Sequence, residues 1–438
     1  MGIVTLREEV TGLLQELIRV NTVNPPGNET AAAELLRDYL EANGVRCELY
    51  ARTPERANLV ARLPGRGTGP RLALLSHTDT VLADPAEWAV DPWSGELREG
   101  KVWGRGALDM KGQVAASAVA LASLAREGFE PCGDLIFAAT ADEEVGDDPD
   151  FGLSWLVREH REAIRAEYAL NEGAGDRIEV GGQVLYLCAV AEKMSSPFRL
   201  RVHGRSGHAS MPAIADNALV KAARLIERLS EFTPPPALGP ETAGFLEAVL
   251  GTVPSPEDAL GTARRVDPIA AEMIEPLLAM TVAPTMIEAS QKRNVIPAVC
   301  EVTVDCRLLP GQTQAEAEDA LRGWLGEGDY ELTWRPGQGG TRSPIESPLW
   351  SAVGGFIAEA EPGARVAPIC TAGFTDSHWL RDTFGTVAYG FFPIRAMAAD
   401  LAARLIHSAD ERVELDDLEL GLGLLRHAAL AIGSIESR

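Results

Sequence analysis

Apolar positions follow two rhythms along this chain. In "EVTGLLQELIRV" and "ETAAAELLRDYLEANG" they recur every three to four residues, which predicts amphipathic helices. "RLALLSHTDTV", "GDLIFAATADEEVG" and "EYALNEGAG" are instead short apolar runs that end in polar residues. Such runs are what strands buried on both faces of a parallel sheet look like. "QVAASAVALASLAREG" and "GLSWLVREHREAI" predict helices between them. Strand and helix in alternation is α/β order.

Near residue 190 the rhythm changes. "PFRLRVHGRSGHAS" alternates apolar and polar residues, as a half-exposed strand does. The helix "DNALVKAARLIERLSEF" follows, then a long Pro-containing stretch from Thr233 to about Pro276. Strands "LAMTVAPTMIEAS" and "CEVTVDCRLL", helix "TQAEAEDALRGWLG" and strand "YELTWRP" complete a β-α-β-β-α-β order. That order predicts an antiparallel sheet with helices on one face. The Gly-rich "RPGQGGTRSP" reads as a linker out of it. The expected fold is α/β: a domain of residues 1–190 and 340–438 with a central, mostly parallel sheet flanked by helices, interrupted by a smaller inserted α+β domain at 191–339.

Composition narrows the function. The 438 residues carry 64 acidic and 40 basic side chains, a formal net charge of −24. So acidic a surface argues against binding phosphate backbones or anionic lipid, but not against divalent cations. The N-terminal "MGIVTLREEVTGLLQELIRV" has charges throughout and helical spacing, so it reads neither as a secretory signal nor as a membrane span. The six cysteines are scattered without a C-x-x-C. Cys300 and Cys306 share one strand face but lie about 20 Å apart at 3.3 Å per residue, too far for a bridge. Reduced thiols and a cytoplasmic location are the expectation.

The chemistry gathers at the strand ends. His77 and Asp79 end one apolar run, Glu143 and Glu144 a second, Glu172 a third, and Asp109 sits in a Gly-flanked turn, "GRGALDMKG". Each alone has an ordinary reading as a turn residue, a helix cap or a hydrogen-bonded histidine. Ligands of open α/β sheets, however, sit at the carboxyl ends of strands. One imidazole among carboxylates suits Zn²⁺, Mn²⁺ or Co²⁺. His407, in "RLIHSADERV", offers the second imidazole that a second ion would need. His160, His203 and His427 lie on other elements and read as structural.

The series "SHTDTV", "GRGALDMKG", "ADEEVG", "NEGAG", "SGHAS", "NVIPA", "DCRLLPG", "FTDS", "HSADERV" resembles the two-zinc amidohydrolases and exopeptidases that include aminoacylase, acetylornithine deacetylase, succinyl-diaminopimelate desuccinylase and glutamate carboxypeptidase. The motifs run in family order over almost the whole chain. The resemblance implies two divalent ions, zinc before cobalt or manganese. His77, Asp109 and Glu172 would hold one; Asp109, Glu144 and His407 would hold the other, with Asp109 bridging and the peptide after it cis. Asp79 would orient His77. Glu143 would be the general base for a metal-bridging water. His208 would stabilise the tetrahedral oxyanion from the partner subunit of a homodimer formed through the inserted lid domain. Asn294, Arg307, Lys193, Gly373 and Thr375 would contact substrate, with Arg307 taking a free carboxylate as a bidentate pair.

The activity so implied is hydrolysis of an amide next to a free carboxylate in a small N-acyl amino acid or peptide. Glu rather than Asp at position 172 goes in the family with deacylases and carboxypeptidases. A dipeptidase or aminopeptidase would share every metal ligand. A silent binding protein on the same scaffold would lack Glu143 or a ligand, and all are present. Met194, Ala372 and His378 depart from the family pattern at positions expected near substrate.

Overall fold

The computed structural model describes residues 5–146 and 150–436. The chain divides into two compact units: Met1–Val190 with Ser343–Ile369 and Thr375–Arg438, and Ala191–Arg342 with Cys370–Phe374.

The first unit is built on a mixed sheet in the order Arg46–Ala51, Ala57–Leu63, Leu135–Thr140, Leu72–His77, Tyr168–Asn171, Val387–Gly390, Gln183–Glu192, Arg365–Thr371. The four middle strands, Leu135–Thr140 to Val387–Gly390, run parallel. Antiparallel pairs flank them. The sheet is therefore parallel at its centre and antiparallel outside it. Every residue of Leu72–His77 and of Leu135–Thr140 is buried, which is why these strands read as unbroken apolar runs. Polar chemistry can begin only where such a strand leaves the core, and it begins at its carboxyl end.

The Ala-rich helix Lys111–Arg126 is buried from Lys111 to Leu124 and packs against the helices Leu6–Arg19 and Leu415–Gly433. Small side chains let helix backbones approach closely on all sides. Lys111 is wholly enclosed, and its ammonium donates to the carbonyls of Leu17 (3.0 Å) and Val20 (2.8 Å). It caps the negative end of the first helix. The residue two positions behind Asp109 thus braces the fold.

The second unit holds an antiparallel sheet ordered Tyr330–Trp334, Phe198–His203, Val299–Leu308, Met194–Ser195, Gln338–Gly339, with Thr281–Glu288 also paired to Val299–Leu308. Val299–Leu308 alternates buried and half-buried residues along its length. Its inward face, with Cys300 and Cys306, packs with Phe198, Leu200 and Val202 under the helices Ala218–Ser230 and Gln314–Leu325. All six cysteines are free thiols.

Two stretches of this region take their shape only in the structure. The Thr233–Pro276 stretch contains three helices, Pro240–Leu250, Pro256–Val266 and Pro268–Ile274. Each begins on its proline, where a missing N–H costs nothing and the fixed φ favours the first turn. "RPGQGGTRSP" is not a free linker, because Gln338–Gly339 pairs with Met194–Ser195 as a strand.

Candidate metal centre

The parallel strands deliver the expected residues to one place. His77 is the last residue of Leu72–His77, Glu143 and Glu144 follow Leu135–Thr140, and Glu172 follows Tyr168–Asn171. Asp109 stands on the turn before the buried helix, and its peptide bond to Met110 is cis. Gly106 permits that turn: its φ is +87°, and a Cβ there would lie 2.9 Å from Thr80 Cγ2.

Asp109 divides its two oxygens. Oδ1 lies 3.1 Å from His77 Nε2, and Oδ2 lies 3.1 Å from His407 Nε2. His77 Nε2 is also 3.6 Å from Glu172 Oε1, and His407 Nε2 is 3.0 Å from Glu144 Oε2. Glu143 Oε2 is 4.0 Å from His77 Nε2. His77 with Glu143 and Glu172, and His77 with Asp109 and Glu144, form groups whose ligand atoms lie within 4.8 Å of one another. His407 and Asp142, which precedes Glu143, take left-handed backbone angles, φ +61° and +67°. That conformation costs a non-glycine residue about 1–2 kcal/mol.

The charges fit cations. Four carboxylates face two imidazoles. Among the protein groups alone, burial disfavours an imidazolium at His77, but Glu172, Asp109 and Asp79 outweigh it and hold its pKa well above the ordinary value. Asp109 and Glu144 lift His407 to about 10. Burial, reinforced by Glu172, pushes the Glu143 carboxyl well up. The site attracts positive charge that its own histidines supply only by protonation. Glu144 Oε1 is buried and has no hydrogen-bond partner, an open position for a cation. Mixed imidazole and carboxylate donors of this kind suit a pair of divalent ions.

The surroundings hold more than sequence reasoning finds. Asp79 does meet His77, through its backbone carbonyl (3.1 Å from Nδ1) and more loosely through Oδ1 (3.5 Å). Its carboxylate chiefly accepts the N–H groups of Glu143 (3.2 Å) and Glu144 (3.1 Å) and the amide of Asn24 (3.0 Å). Asn24 also donates to Asp142 (2.9 Å), which Arg56 joins to the buried Glu29. Asp79 therefore fixes the turn that carries both glutamates. Asp376 lies close by, accepting from Thr140 Oγ1 at 3.1 Å, and burial against the opposing pull of His77 lifts its pKa to about 7. Glu411, inside "HSADERV", binds the Asp109 turn. No local pattern announces such partners.

The substrate candidates fall as follows. In the second unit His208 and Asn294 adjoin: Gly207 and His208 pair with Ile296 and Val295, and Ala209 N–H donates to the Asn294 carbonyl. His208 is exposed, with Nδ1 2.8 Å from Ser210 Oγ. Arg307 is gripped by Asp305 through Nε and Nη2, both at 3.0 Å, and stays part exposed. Gly373 is exposed. Lys193 does something else. It is 0% exposed, and Nζ donates to the carbonyls of Pro276 (2.8 Å) and Ala279 (2.9 Å). Its ammonium ties the end of the helical excursion and is not offered to substrate. In the first unit Thr375 Oγ1 accepts from Ser377 N–H at 3.2 Å. His378 is buried, its Nδ1 2.7 Å from the Thr375 carbonyl, so this departure from the family pattern packs into the unit.

Two imidazoles joined by a shared carboxylate, with further acids beside them, define a site able to hold two cations. Sequence comparison makes the class specific: the chain belongs to Peptidase family M20/M25/M40, whose profile matches residues 73–431. Succinyl-diaminopimelate desuccinylase of Methylobacterium nodulans is 32% identical over 93% of this chain and 92% of its own length. Aminoacylase-1 of Sus scrofa is 26% identical over 97% and 95%. The crystal structure of an M20 family metallo-carboxypeptidase from Sulfolobus solfataricus shares the fold, with a TM-score of 0.71 at 18% identity over 97% of this chain and 99% of that one. No described helix is long and apolar enough to cross a membrane.

Proposed function

We propose that this chain is an N-acyl-amino-acid deacylase or carboxypeptidase working on a two-cation centre. The observation that carries the reading is Asp109, whose two oxygens each face a different imidazole at 3.1 Å. His77, Asp109 and Glu172 would hold one ion and Asp109, Glu144 and His407 the other, with Zn²⁺ as the native metal and Co²⁺ or Mn²⁺ as substitutes. Bound ions supply Lewis acidity that polarises the scissile carbonyl and makes water nucleophilic near neutral pH.

Glu143 takes the proton of the attacking water and returns it to the leaving amine. Its Oε2, 4.0 Å from His77 Nε2, lies beside the centre, where the carboxylate can carry the proton between the two steps. Asp79 keeps Glu143 aimed through the backbone. The free carboxylate of the substrate pairs with Arg307, which Asp305 holds flat. Asn294, Gly373 and Thr375 would contact substrate. The exposed His208 serves the tetrahedral stage from a second copy of the chain, so the working form is a homodimer joined through residues 191–339. Six free thiols accord with a cytoplasmic enzyme.

The test is hydrolysis of a panel of N-acyl amino acids and unblocked dipeptides by chelated enzyme refilled with Zn²⁺, Co²⁺ or Mn²⁺. Metal-dependent release from acyl amino acids is expected. Cleavage of unblocked dipeptides alone would move the chain to the dipeptidase branch.

A further inference from the structure

The first unit contains a cavity of about 210 Å³ that abuts the metal centre. Asp109 and Glu172 line it, and so does Ile406, the residue before His407. The rest of the wall is largely apolar, with Leu108, Met110, Phe392, Ile394 and Ala403. We propose that this cavity is the acyl subsite and that it takes an unbranched aliphatic acyl chain of medium length, not an acyl group ending in a carboxylate. The proposal rests on the deacylase reading and names the substrate class for it.

Charge decides which half of the substrate enters. An amino-acid product carries a free carboxylate, which needs a cationic or hydrogen-bonding partner to leave water. Among the described residues no lysine, arginine or histidine lines the cavity, while Asp109, Glu172 and Asp176 do. The acyl half is the half without an obligatory carboxylate. A succinyl group would restore the problem by bringing a terminal carboxylate into a cavity that offers it no cationic side chain. Bound cations would offset Asp109 and Glu172 but not Asp176.

The wall is preformed. Phe392 N–H donates to the Ala174 carbonyl at 2.9 Å, and Ile394 N–H to that of Gly175 at 3.0 Å. Only glycine fits at 175, since a Cβ there would lie 1.7 Å from the Phe392 carbonyl oxygen. The buried Asp417 accepts the N–H groups of Arg395 and Ala396 at 2.7 Å and of Met397 at 2.9 Å, locking the next turn. A rigid wall sets a chain-length limit. A cavity of about 210 Å³ suits a chain of moderate length.

The test is kcat/KM of the zinc-loaded enzyme on acetyl, butanoyl, hexanoyl, octanoyl and succinyl derivatives of alanine, leucine and glutamate. We expect a rise of about fourfold per added methylene from acetyl to hexanoyl, with succinyl no better than acetyl. Ala403→Phe, at an exposed helix position, should compress that rise to about fivefold or less in all. A flat profile, or succinyl above hexanoyl, overturns the proposal while leaving the deacylase reading standing. So does a profile that a folded Ala403→Phe enzyme leaves unchanged. Should that variant fail to fold, the wild-type profile decides alone. Cleavage of dipeptides with none of the acyl amino acids overturns both.

Discussion

Glu411 accepts the backbone N–H of Asp109 at 3.0 Å, so one buried carboxylate positions another that faces both His77 and His407. The same Oε1 takes the Leu108 N–H at 2.7 Å, and Oε2 takes the Gly106 N–H at 3.0 Å and Arg105 Nη1 at 2.7 Å. Glu411 is fully enclosed. The turn that aims the shared ligand is thus held from a point 302 residues further along the chain.

Glu411→Gln places an amide donor where N–H donors already point. We expect the variant to fold with a lowered melting temperature and to bind its ions about 10- to 100-fold more weakly, as loss of an outer-shell partner does. Titration with Co²⁺, followed by its visible absorption, reads this without reference to activity. An unchanged affinity and spectrum would show that Glu411 only braces the fold.

Glu143 and His407 should fail in different ways. Glu143→Ala should keep both ions and lose about 10²- to 10⁴-fold in kcat, the usual contribution of a general acid–base group. His407→Ala should lose one equivalent of metal. Metal analysis after gel filtration separates them, and equal metal loss in the two would remove Glu143 from the role of base.

Co-expression tests whether His208 acts across a dimer. Enzyme carrying Glu143→Ala and enzyme carrying His208→Ala should each be inactive. A one-to-one mixture of subunits should recover about a quarter of wild-type activity, because half the dimers are mixed and each has one competent site. A mixture as inactive as its parents would confine His208 to its own chain.

Lys193 gives a pH signature. Burial lowers its pKa from 10.5 to about 8, the neighbouring Cys370 and Cys306 opposing. Between those values the unfolded chain keeps a proton that the folded chain has released, so stability from this position rises with pH across the window. Lys193→Met should be less stable than wild type, and the gap should widen by about 2 kcal/mol from pH 7.5 to 9.5. Urea unfolding at the two pH values measures it. A gap that narrows, or a tenfold rise in KM at unchanged stability, would return Lys193 to the substrate.

How much of the molecule is legible in its sequence depends on distance along the chain. His77, Glu144 and Glu172 stand out because buried parallel strands are continuous apolar runs, and a polar group at such an end has few reasons to be there. Asp109 and His407 are legible as parts of motifs in family order. The helices at Pro240, Pro256 and Pro268 are not assigned from the sequence, although proline behind Gly239, Ser255 and Asp267 begins each of them.

The sequence by itself determined the α/β order and the class of chemistry, the first through local periodicity and the second through motifs that stand in family order. Only the tertiary structure decided that Glu411 aims Asp109, that Asp79 serves the Glu143 turn, that Lys111 and Lys193 tie down carbonyls, and that a cavity without basic side chains borders the metal centre. The physical reason is common to all of them. A buried side chain bonded to distant backbone has no period and no fixed spacing, so folding alone makes it visible.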